Sequence, residues 1–320
     1  MSKLRLAVVG AGQFGRNHCR VIHESEGAEL SAVVDIDAGR AGQMSALYGA
    51  PASSDFRDLA GKVDAAVVAV PTTVHAEVGV ALLEAGIDVL VEKPMADDLP
   101  AAGRLVEAAD RYGRILQVGH LERFNPAVLE LEQRVTLPLF FEIHRLNLFS
   151  PRSLDVDVVL DLMIHDVDVV LSLTRAEPLE IRAAGISVLS EKVDIANVRL
   201  QFENGCVANL TASRISTERV RKLRLFQPRQ YLSLDYERKD LAVFTVGENK
   251  QIGFEQARIT KDEPLKLQLN SFLECVKTRN SPKCSGSNAR LTLRVALSIL
   301  DKIKEHSAIV SQSLVAGWKP

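Results

Sequence analysis

The pattern that most limits what this chain can fold into is Gly10-x-Gly12-x-x-Gly15, which follows the apolar run 4–9 and precedes a helical stretch ending near Ser25. In a strand–loop–helix unit the first glycine permits a tight turn, and the second lets a pyrophosphate approach the backbone. The third permits close packing of helix on strand. The helix N-terminus presents free N–H groups and a positive dipole end to phosphates. The pattern predicts a dinucleotide-binding unit.

Asp35 strengthens this interpretation because it ends a second strand-like run, 29–34, at the usual distance of about 20 residues from the glycines. An acid there hydrogen-bonds a ribose 2′-hydroxyl and repels a 2′-phosphate, so NAD is favoured over NADP. Arg40 follows closely and could weaken that preference, or could be a solvated helix charge. The alternative is a glycine-rich turn in a flavodoxin-like domain.

The first 120 residues alternate between short apolar runs and periodic helical segments. Runs rich in Val and Ile are typical of strands buried on both faces of a parallel sheet. They lie at 65–70, 88–91 and 115–118, and the helical segments predicted between them are 73–85 and about 98–113. This alternation predicts a doubly wound α/β Rossmann domain over residues 1–120.

The remaining residues, 121–320, have a different texture, with strand-like segments that follow one another through turns such as Glu203-Asn204-Gly205. This succession predicts a second domain built on an antiparallel sheet. Strands are expected at 138–149, 179–189, 195–203, 206–213, 221–226, 230–236 and 241–246, and helices at 126–134, 265–278 and 289–305.

Charge and cysteine content restrict the class of protein. The 320 residues carry 39 Lys and Arg against 41 Asp and Glu, a net charge of −2, so no overall field favours nucleic acid or an anionic membrane. Four scattered cysteines fit a reducing compartment, and no long uncharged apolar stretch spans a membrane. We therefore expect a cytoplasmic protein with no nucleic-acid or membrane partner.

Two segments carry groups suited to chemistry. Val91-Glu92-Lys93-Pro94 ends a strand of the first domain, where ligands bind beyond the carboxyl ends of parallel strands, so Lys93 is expected to reach the cofactor crevice. Alone, this tetrapeptide would indicate an ordinary strand-to-loop turn.

The second segment, 156–173, is strongly apolar and helical in pattern, yet it places four polar groups on one face. These groups require partners or a wet cleft. They could be structural, they could ligate a metal, or Asp161 and His165 could form an acid/base dyad. We expect no metal. The four are Asp157, Asp161, His165 and Asp168.

Taken together, these residues resemble the Gfo/Idh/MocA oxidoreductase family over most of the chain. The resemblance rests on residues 11–18, 71–75, 92–94, 118–126 and the pair Asp161-x-x-x-His165. It implies a Rossmann domain and a larger α/β domain on an open, mainly antiparallel sheet whose face forms homo-dimer or homo-tetramer contacts. It implies catalytic roles for Lys93 and His165, with Asp161 as partner. The implied cofactor-side residues are Gly10, Gly12, Gln13, Phe14, Gly15, Asp35, Thr72, His75, Glu92 and Lys93.

Within the family, residues 119–126 and 161–168 look most similar to members that oxidise the 3-hydroxyl of UDP-N-acetylglucosamine. A basic cluster between residues 214 and 229 could cradle a diphosphate, although such a run is more often a solvated strand face or an interface edge. The residues expected on the substrate side are Arg123, Asn125, Asp168, Arg221 and Arg224.

The resulting prediction is an NAD-dependent dehydrogenase that moves a hydride between a sugar secondary hydroxyl and nicotinamide. The alternatives are a dehydrogenase of a free sugar or polyol, and a non-catalytic regulator that senses dinucleotide. The proton acceptor is His165 or Lys93, and if neither serves, Tyr231 or Tyr236 is the next candidate.

Overall fold

The computed structural model describes residues 3–149 and 156–315, which form fourteen strands and eight α-helices. The strands are β1 (Leu4–Val9), β2 (Ala28–Val34), β3 (Ala52–Ser53), β4 (Ala65–Val68), β5 (Asp88–Glu92), β6 (Leu116–Gly119), β7 (Phe140–Leu148), β8 (Pro178–Ile186), β9 (Ile195–Phe202), β10 (Val207–Ser216), β11 (Val220–Gln227), β12 (Gln230–Asp235), β13 (Asp240–Val246) and β14 (Ile252–Gln256). The helices are α1 (Gln13–His23), α2 (Ala38–Tyr48), α3 (His75–Glu84), α4 (Leu99–Tyr112), α5 (Pro126–Arg134), α6 (Ile164–Thr174), α7 (Pro264–Thr278) and α8 (Gly286–Val315).

The chain divides into two compact units. The first unit contains Met1–Phe124 and Asp262–Leu293, and the second contains Asn125–Lys261 and Arg294–Pro320. The division differs from the predicted domains 1–120 and 121–320, because α7 and the start of α8 belong with the N-terminal unit. The reason is the apolar face of α7, whose Leu269, Phe272 and Leu273 lie in one buried cluster with Val21 and Ile22 of α1.

The first unit is built on a six-stranded sheet in the order β3-β2-β1-β4-β5-β6, with all neighbours parallel. The order reverses between β1 and β4, and a reversal of this kind opens a ligand crevice at the carboxyl ends of these strands. The doubly wound parallel sheet predicted for this region is confirmed.

Local signals explain where the helices of this unit begin and end. The Asp98 side chain accepts a hydrogen bond from the Ala101 N–H at 2.6 Å and caps α4, whose second residue is Pro100. Gly113 ends α4 in the left-handed conformation, at φ 58°. Residues of these types at these spacings are visible in the sequence.

The second unit is built on an eight-stranded sheet in the order β14-β13-β12-β11-β7-β10-β9-β8. Its neighbours are antiparallel except for the parallel pair β7 and β10, so the expected mainly antiparallel sheet is confirmed. Alternate residues of β7 point into the core, where Phe141, Ile143 and Arg145 are buried. We call this side of the sheet the inner face and the opposite side the outer face.

Three elements differ from the sequence analysis. The strands β3, with two residues, and β14, whose five residues are all exposed, carry too little apolar signal to be predicted. The helix predicted from residue 156 begins later, as a π-helical turn over Val159–Met163 that continues into α6. Within the described ranges, no helix is both long enough and apolar enough to span a membrane.

Candidate active site

The glycine loop lies between β1 and α1, and at each of its three positions glycine is present for a different structural reason. Gly10 has φ +96°, and a Cβ on it would lie 2.5 Å from the Ala69 carbonyl oxygen. A Cβ on Gly15 would lie 1.7 Å from the Gly10 carbonyl oxygen, so α1 can approach β1 only with glycine there. Around Gly12 the space is open, and this residue is the N-cap of α1. The backbone N–H groups of the first turn of α1 are therefore placed to receive phosphate.

Asp35 is fixed at the end of β2 and is only 6% exposed. Its Oδ2 accepts a hydrogen bond from the Ala11 N–H at 2.7 Å, which ties the carboxylate to the glycine loop. Its Oδ1 accepts from the Asp37 N–H at 2.8 Å and from Arg40 Nη2 at 3.0 Å. The carboxylate is thus rigidly oriented, with Arg40 beside it, as a ribose-binding acid needs to be.

A cavity of about 460 Å³ lies at the carboxyl ends of β1, β2 and β4. Its walls combine the glycine loop, the Asp35–Arg40 pair and apolar side chains, so it suits the adenosine half of a dinucleotide. Ile36 stands at its rim, 89% exposed. The lining residues are Val9, Gly10, Gly12, Val34, Asp35, Ile36, Arg40, Ser54, Phe56, Ala69, Val70, Pro71, Val74, Glu77 and Val78. The residues of this unit therefore fit NAD.

The predicted cofactor residues outside this cavity have other environments. Gln13 and Phe14 are exposed on the first turn of α1, and Thr72 lies in a half-buried 3₁₀ turn. His75 is only 1% exposed, with Nδ1 3.0 Å from the Pro94 carbonyl oxygen and Nε2 2.9 Å from that of Val70. Burial lowers the pKa of His75, against the opposing effect of the two carbonyl groups. His75 thus links the end of β4 to the loop after Lys93, and its role on the cofactor side stays a prediction.

Glu92, another predicted cofactor residue, is engaged inside the first unit. His18 Nε2 lies 2.7 Å from Glu92 Oε1, and the Lys93 N–H donates to Glu92 Oε2 at 3.3 Å. Lys93 itself is half-buried directly after β5. Lys93 therefore follows a largely buried residue, Glu92, whose side chain is 13% exposed and whose carboxylate contacts His18 and the Lys93 N–H.

In the second unit, the predicted polar face of the apolar helix separates into two parts. Asp157 precedes the helix, and its Oδ1 accepts a hydrogen bond from the Val193 N–H at 2.9 Å, which is a structural role. Asp161 lies in the π-helical turn, and His165 is in the first turn of α6. Asp161 and His165 are half-buried, whereas Asp168 is buried. π-helical turns occur frequently at functional sites.

A buried ion pair that was not predicted from the sequence lies beside this helix. Arg145 of β7 donates through Nε to Asp166 Oδ2 at 2.8 Å and through Nη2 to Asp166 Oδ1 at 2.7 Å. The guanidinium also lies over the ring of Tyr236, 4.8 Å from its centroid. The sequence contained one sign of this pair, because an arginine at an inward-facing position of a strand needs a buried partner. The pair joins α6, directly after His165, to the inner face of the sheet.

The predicted substrate residues are dispersed. Asn125 caps α5 by accepting from the Ala127 N–H at 3.1 Å, and its Nδ2 donates to the Tyr236 carbonyl oxygen at 3.0 Å. Arg123 is buried in a 3₁₀ turn of the first unit. Arg221 lies on the inner face opposite Arg145, whereas Arg224 lies on the outer face, paired with Glu142 at 3.1 Å. Because the two arginines occupy opposite faces, the expectation that they form one cradle is corrected.

The two tyrosines considered as alternative proton acceptors also differ in position. Tyr231 stacks between Phe226 and Phe244 on the outer face, away from the helix that carries His165. Tyr236 lies against Arg145 and is the one that belongs to the inner face. Within the described ranges, no group of three His, Cys, Asp or Glu side chains is arranged to hold a metal ion.

Comparison with known proteins agrees with this geometry. The model of the oxidoreductase family with an NAD-binding Rossmann fold matches residues 4–120, and the Gfo/Idh/MocA C-terminal domain model matches residues 143–229. UDP-N-acetylglucosamine 3-dehydrogenase from Acidithiobacillus ferrooxidans is 34% identical over 305 residues, which are 93% of this chain and 97% of that protein. A solved structure of that dehydrogenase, GnnA, superposes with a TM-score of 0.91 at 33% identity, covering 96% of this chain and 99% of the other.

A second relative matches a smaller part of the chain. Inositol 2-dehydrogenase from Corynebacterium glutamicum strain R is 31% identical over 228 residues, which are 66% of this chain and 67% of that protein. Family models match in both units, and the Acidithiobacillus relative is similar along nearly its whole length. The chain therefore belongs to the Gfo/Idh/MocA family of NAD-binding oxidoreductases.

Proposed function

We propose that this NAD-dependent oxidoreductase oxidises a secondary hydroxyl of a nucleotide sugar, at C3 of UDP-N-acetylglucosamine. The observation that supports this substrate is the length over which the chain is similar to each relative. The 3-dehydrogenase relative matches over 97% of its length, including both units, whereas the inositol dehydrogenase matches over 67%. The sheet and helices of the second unit are the part expected to determine the substrate.

The catalytic steps are assigned to groups that the two units present at strand and helix ends. NAD, when bound, supplies the hydride acceptor. His165 removes the hydroxyl proton, and Asp161 stabilises the resulting imidazolium. Lys93 places positive charge beside the developing alkoxide. General-base catalysis of this kind contributes roughly 10²–10⁴-fold to the rate. Asp168 and Arg123 complete the proposed substrate side.

Arg221 is the residue we propose for the diphosphate. It is half-buried on the inner face, on the strand position that pairs with Arg145. Arginine suits this role because its planar fork binds phosphate oxygens in a bidentate manner. Arg224, on the outer face and 45% exposed, provides a matched control. Arg221→Ala should raise KM for the UDP-sugar with little change in kcat, while Arg224→Ala should change neither.

The same proposal includes a homo-oligomer assembled through the outer face. A row of five aromatic rings crosses that face, with centroid separations from 4.8 to 6.0 Å. Its members are Phe140, Phe226, Tyr231, Phe244 and Phe254. Phe254 is 63% exposed, and a row of this size on a sheet face is typical of an interaction surface. Light scattering of Phe254→Glu should show a smaller assembly. A cytoplasmic location is also part of the proposal.

The test is NAD reduction by a panel of UDP-N-acetylglucosamine, free N-acetylglucosamine and myo-inositol. We expect the highest kcat/KM for the UDP-sugar. Turnover of myo-inositol alone would refute the proposed substrate and favour a polyol dehydrogenase. The similarity to inositol 2-dehydrogenase is the observation that supports this alternative. NAD binding without turnover of any polyol, aldose or nucleotide sugar would favour the sensing regulator.

A further inference from the structure

Two acids line the cavity at the carboxyl ends of β1, β2 and β4, and they differ in what they contact. The Asp35 carboxylate accepts hydrogen bonds from the Ala11 and Asp37 N–H groups and from Arg40, at 2.7, 2.8 and 3.0 Å. The second acid, Glu77, is exposed, and none of the residues that the structure describes donates a hydrogen bond to it or forms an ion pair with it. Its two oxygens are therefore available to a ligand in the cavity.

Helix α3 directs Glu77 toward the apolar part of this cavity. Val74, the N-cap of α3, is three residues before Glu77 and four before Val78, so the three share one face of the helix. All three line the cavity, together with Phe56 from the 3₁₀ turn Phe56–Leu59 that follows β3. Val78 is only 5% exposed, so the carboxylate borders a wall that is packed in place. Apolar walls with a few polar groups are typical of ligand sites.

The remaining walls assign this part of the cavity to the base of the dinucleotide. The glycine loop is suited to the pyrophosphate and Asp35 to the ribose, which leaves the surface around Phe56, Val74 and Val78 for the ring. A purine packed against such side chains loses water from its edge, so its amino group needs a protein acceptor.

Two further polar side chains in the described lining could contact the edge of the base, and they differ chemically. Ser54 carries a hydroxyl, which donates as well as accepts, whereas the carboxylate of Glu77 only accepts. A hydroxyl can therefore adapt to an amino group or to a carbonyl oxygen. A carboxylate attracts the first and repels the second, so Glu77 is the residue able to discriminate between them.

We propose that Glu77 determines which base the cofactor carries, by accepting a hydrogen bond from the 6-amino group of adenine and repelling the 6-carbonyl oxygen of an oxopurine such as hypoxanthine. The inference concerns NAD binding and does not depend on the proposed sugar substrate, so either proposal can fail without the other. An acid in the first turn of a helix also interacts with the helix dipole, but that stabilisation is the same whichever base is bound.

The first experiment compares two dinucleotides by titration calorimetry on the full chain. The probe is nicotinamide hypoxanthine dinucleotide, which differs from NAD in the base, where a carbonyl oxygen replaces the 6-amino group. Its N1–H lies one ring position away, so a carboxylate placed for the amine faces the oxygen. The unmodified chain should bind NAD at least about tenfold more tightly than the probe, because the probe loses a charged hydrogen bond and gains a repulsion.

Glu77→Ala should remove this discrimination. Its NAD affinity should fall about tenfold, and the two dinucleotides should then bind within about twofold of each other. The ratio of the two affinities is the informative quantity, because a general effect of the substitution on α3 would weaken both ligands alike. Thermal unfolding followed by circular dichroism shows whether the variant is folded.

Glu77→Gln tests the same contact by a gain of affinity. The amide oxygen still accepts from the amine of adenine, and the amide N–H can donate to the carbonyl oxygen of hypoxanthine. This variant should bind the hypoxanthine probe at least about threefold more tightly than the unmodified chain does. A loss of folding cannot produce such a gain, so this variant decides the question if Glu77→Ala does not fold.

Two control variants should keep the affinity ratio of the unmodified chain. Glu84→Ala removes an exposed acid from the last position of the same helix, away from the cavity lining. Ser54→Ala removes a polar group from the lining itself. An affinity ratio in Glu77→Ala equal to that of the unmodified chain would overturn the proposal. A change of the ratio in Ser54→Ala as large as that in Glu77→Ala would overturn it as well.

Discussion

Removal of Arg145 should be among the most destabilising single substitutions in the second unit. Both members of the Arg145–Asp166 pair have side chains only 2% exposed, and two hydrogen bonds of 2.8 and 2.7 Å join them. Arg145→Met preserves much of the apolar stem but leaves the Asp166 carboxylate buried without its guanidinium. Breaking one partner of such a pair costs about 3–5 kcal/mol.

The same contacts give a second estimate of this cost and one further contribution. Each hydrogen bond to a charged group contributes about 1.5–3 kcal/mol, which for two bonds agrees with that range. Loss of the stacking on Tyr236, at 4.8 Å, adds about 1 kcal/mol. We therefore expect Arg145→Met to lower the free energy of unfolding of this unit by about 5 kcal/mol.

The double variant Arg145→Met/Asp166→Leu tests the cause. It replaces both charges with apolar groups, so it should recover most of the stability lost in Arg145→Met. Urea unfolding followed by circular dichroism measures each free energy, and hydrogen exchange of the α6 amides assigns the change to that helix. Arg182→Met is the matched control, since Arg182 forms an ion pair with Glu180 at the surface and is 75% exposed. A cost below about 1 kcal/mol for Arg145→Met, comparable with the control, would refute the reasoning.

Four other predictions concern single residues or one pair of residues. Gly15→Ala should abolish NAD binding, measured by calorimetry, because its Cβ would meet the carbonyl oxygen of the first loop glycine at 1.7 Å. Asp35→Ser should weaken NAD binding at least about tenfold, because the Ala11 N–H of the glycine loop loses its charged acceptor at 2.7 Å. It should also reduce the difference between the affinities for NAD and NADP. An unchanged NAD affinity would contradict this prediction. Lys93→Ala and His165→Ala should each remove most of kcat while NAD affinity persists, and the double variant should be little worse than either. Backbone N–H donors outweigh the effect of burial and lower the pKa of Asp194 to about 2. The stability that this carboxylate contributes is present above a pH of about 4 and should be lost as the pH falls through about 2. Asp194→Asn should therefore weaken the acid unfolding transition followed by circular dichroism.

The sequence alone was sufficient to predict those helices and strands whose boundaries are set by residues close to them in the chain. The glycine spacing, the Asp98 cap and the left-handed Gly113 each act within a few residues, and the structure has a strand or helix boundary at each. The packing of α7 with α1 is different in kind. Its apolar positions are compatible with either unit, and only the complete set of contacts assigns Leu269 and Phe272 to the first.

The candidate site was also only partly predictable from the sequence. A motif identifies which residue types accompany a chemistry, but it does not show what their polar atoms contact. His75 and Glu92 are examples, because both occur in motifs at strand ends on the side of the sheet where the cofactor is expected. In the structure, the imidazole of His75 contacts backbone carbonyl oxygens and the carboxylate of Glu92 contacts His18. These contacts come from elements far apart in sequence, so the motifs alone do not reveal them.

His165 and Asp166 differ in the physical property that would separate a reacting group from a supporting one. They are neighbours on one apolar helix, and by residue type either could serve as an acid or a base. Asp166 is buried and bound by both nitrogens of a guanidinium fork, so its protonation would cost the energy of that pair. His165 is half-buried, and imidazole is the side chain best suited to taking up and releasing a proton near neutral pH. A general base must exchange its proton at low cost, so this contrast supports the proposal that His165, and not Asp166, takes the proton.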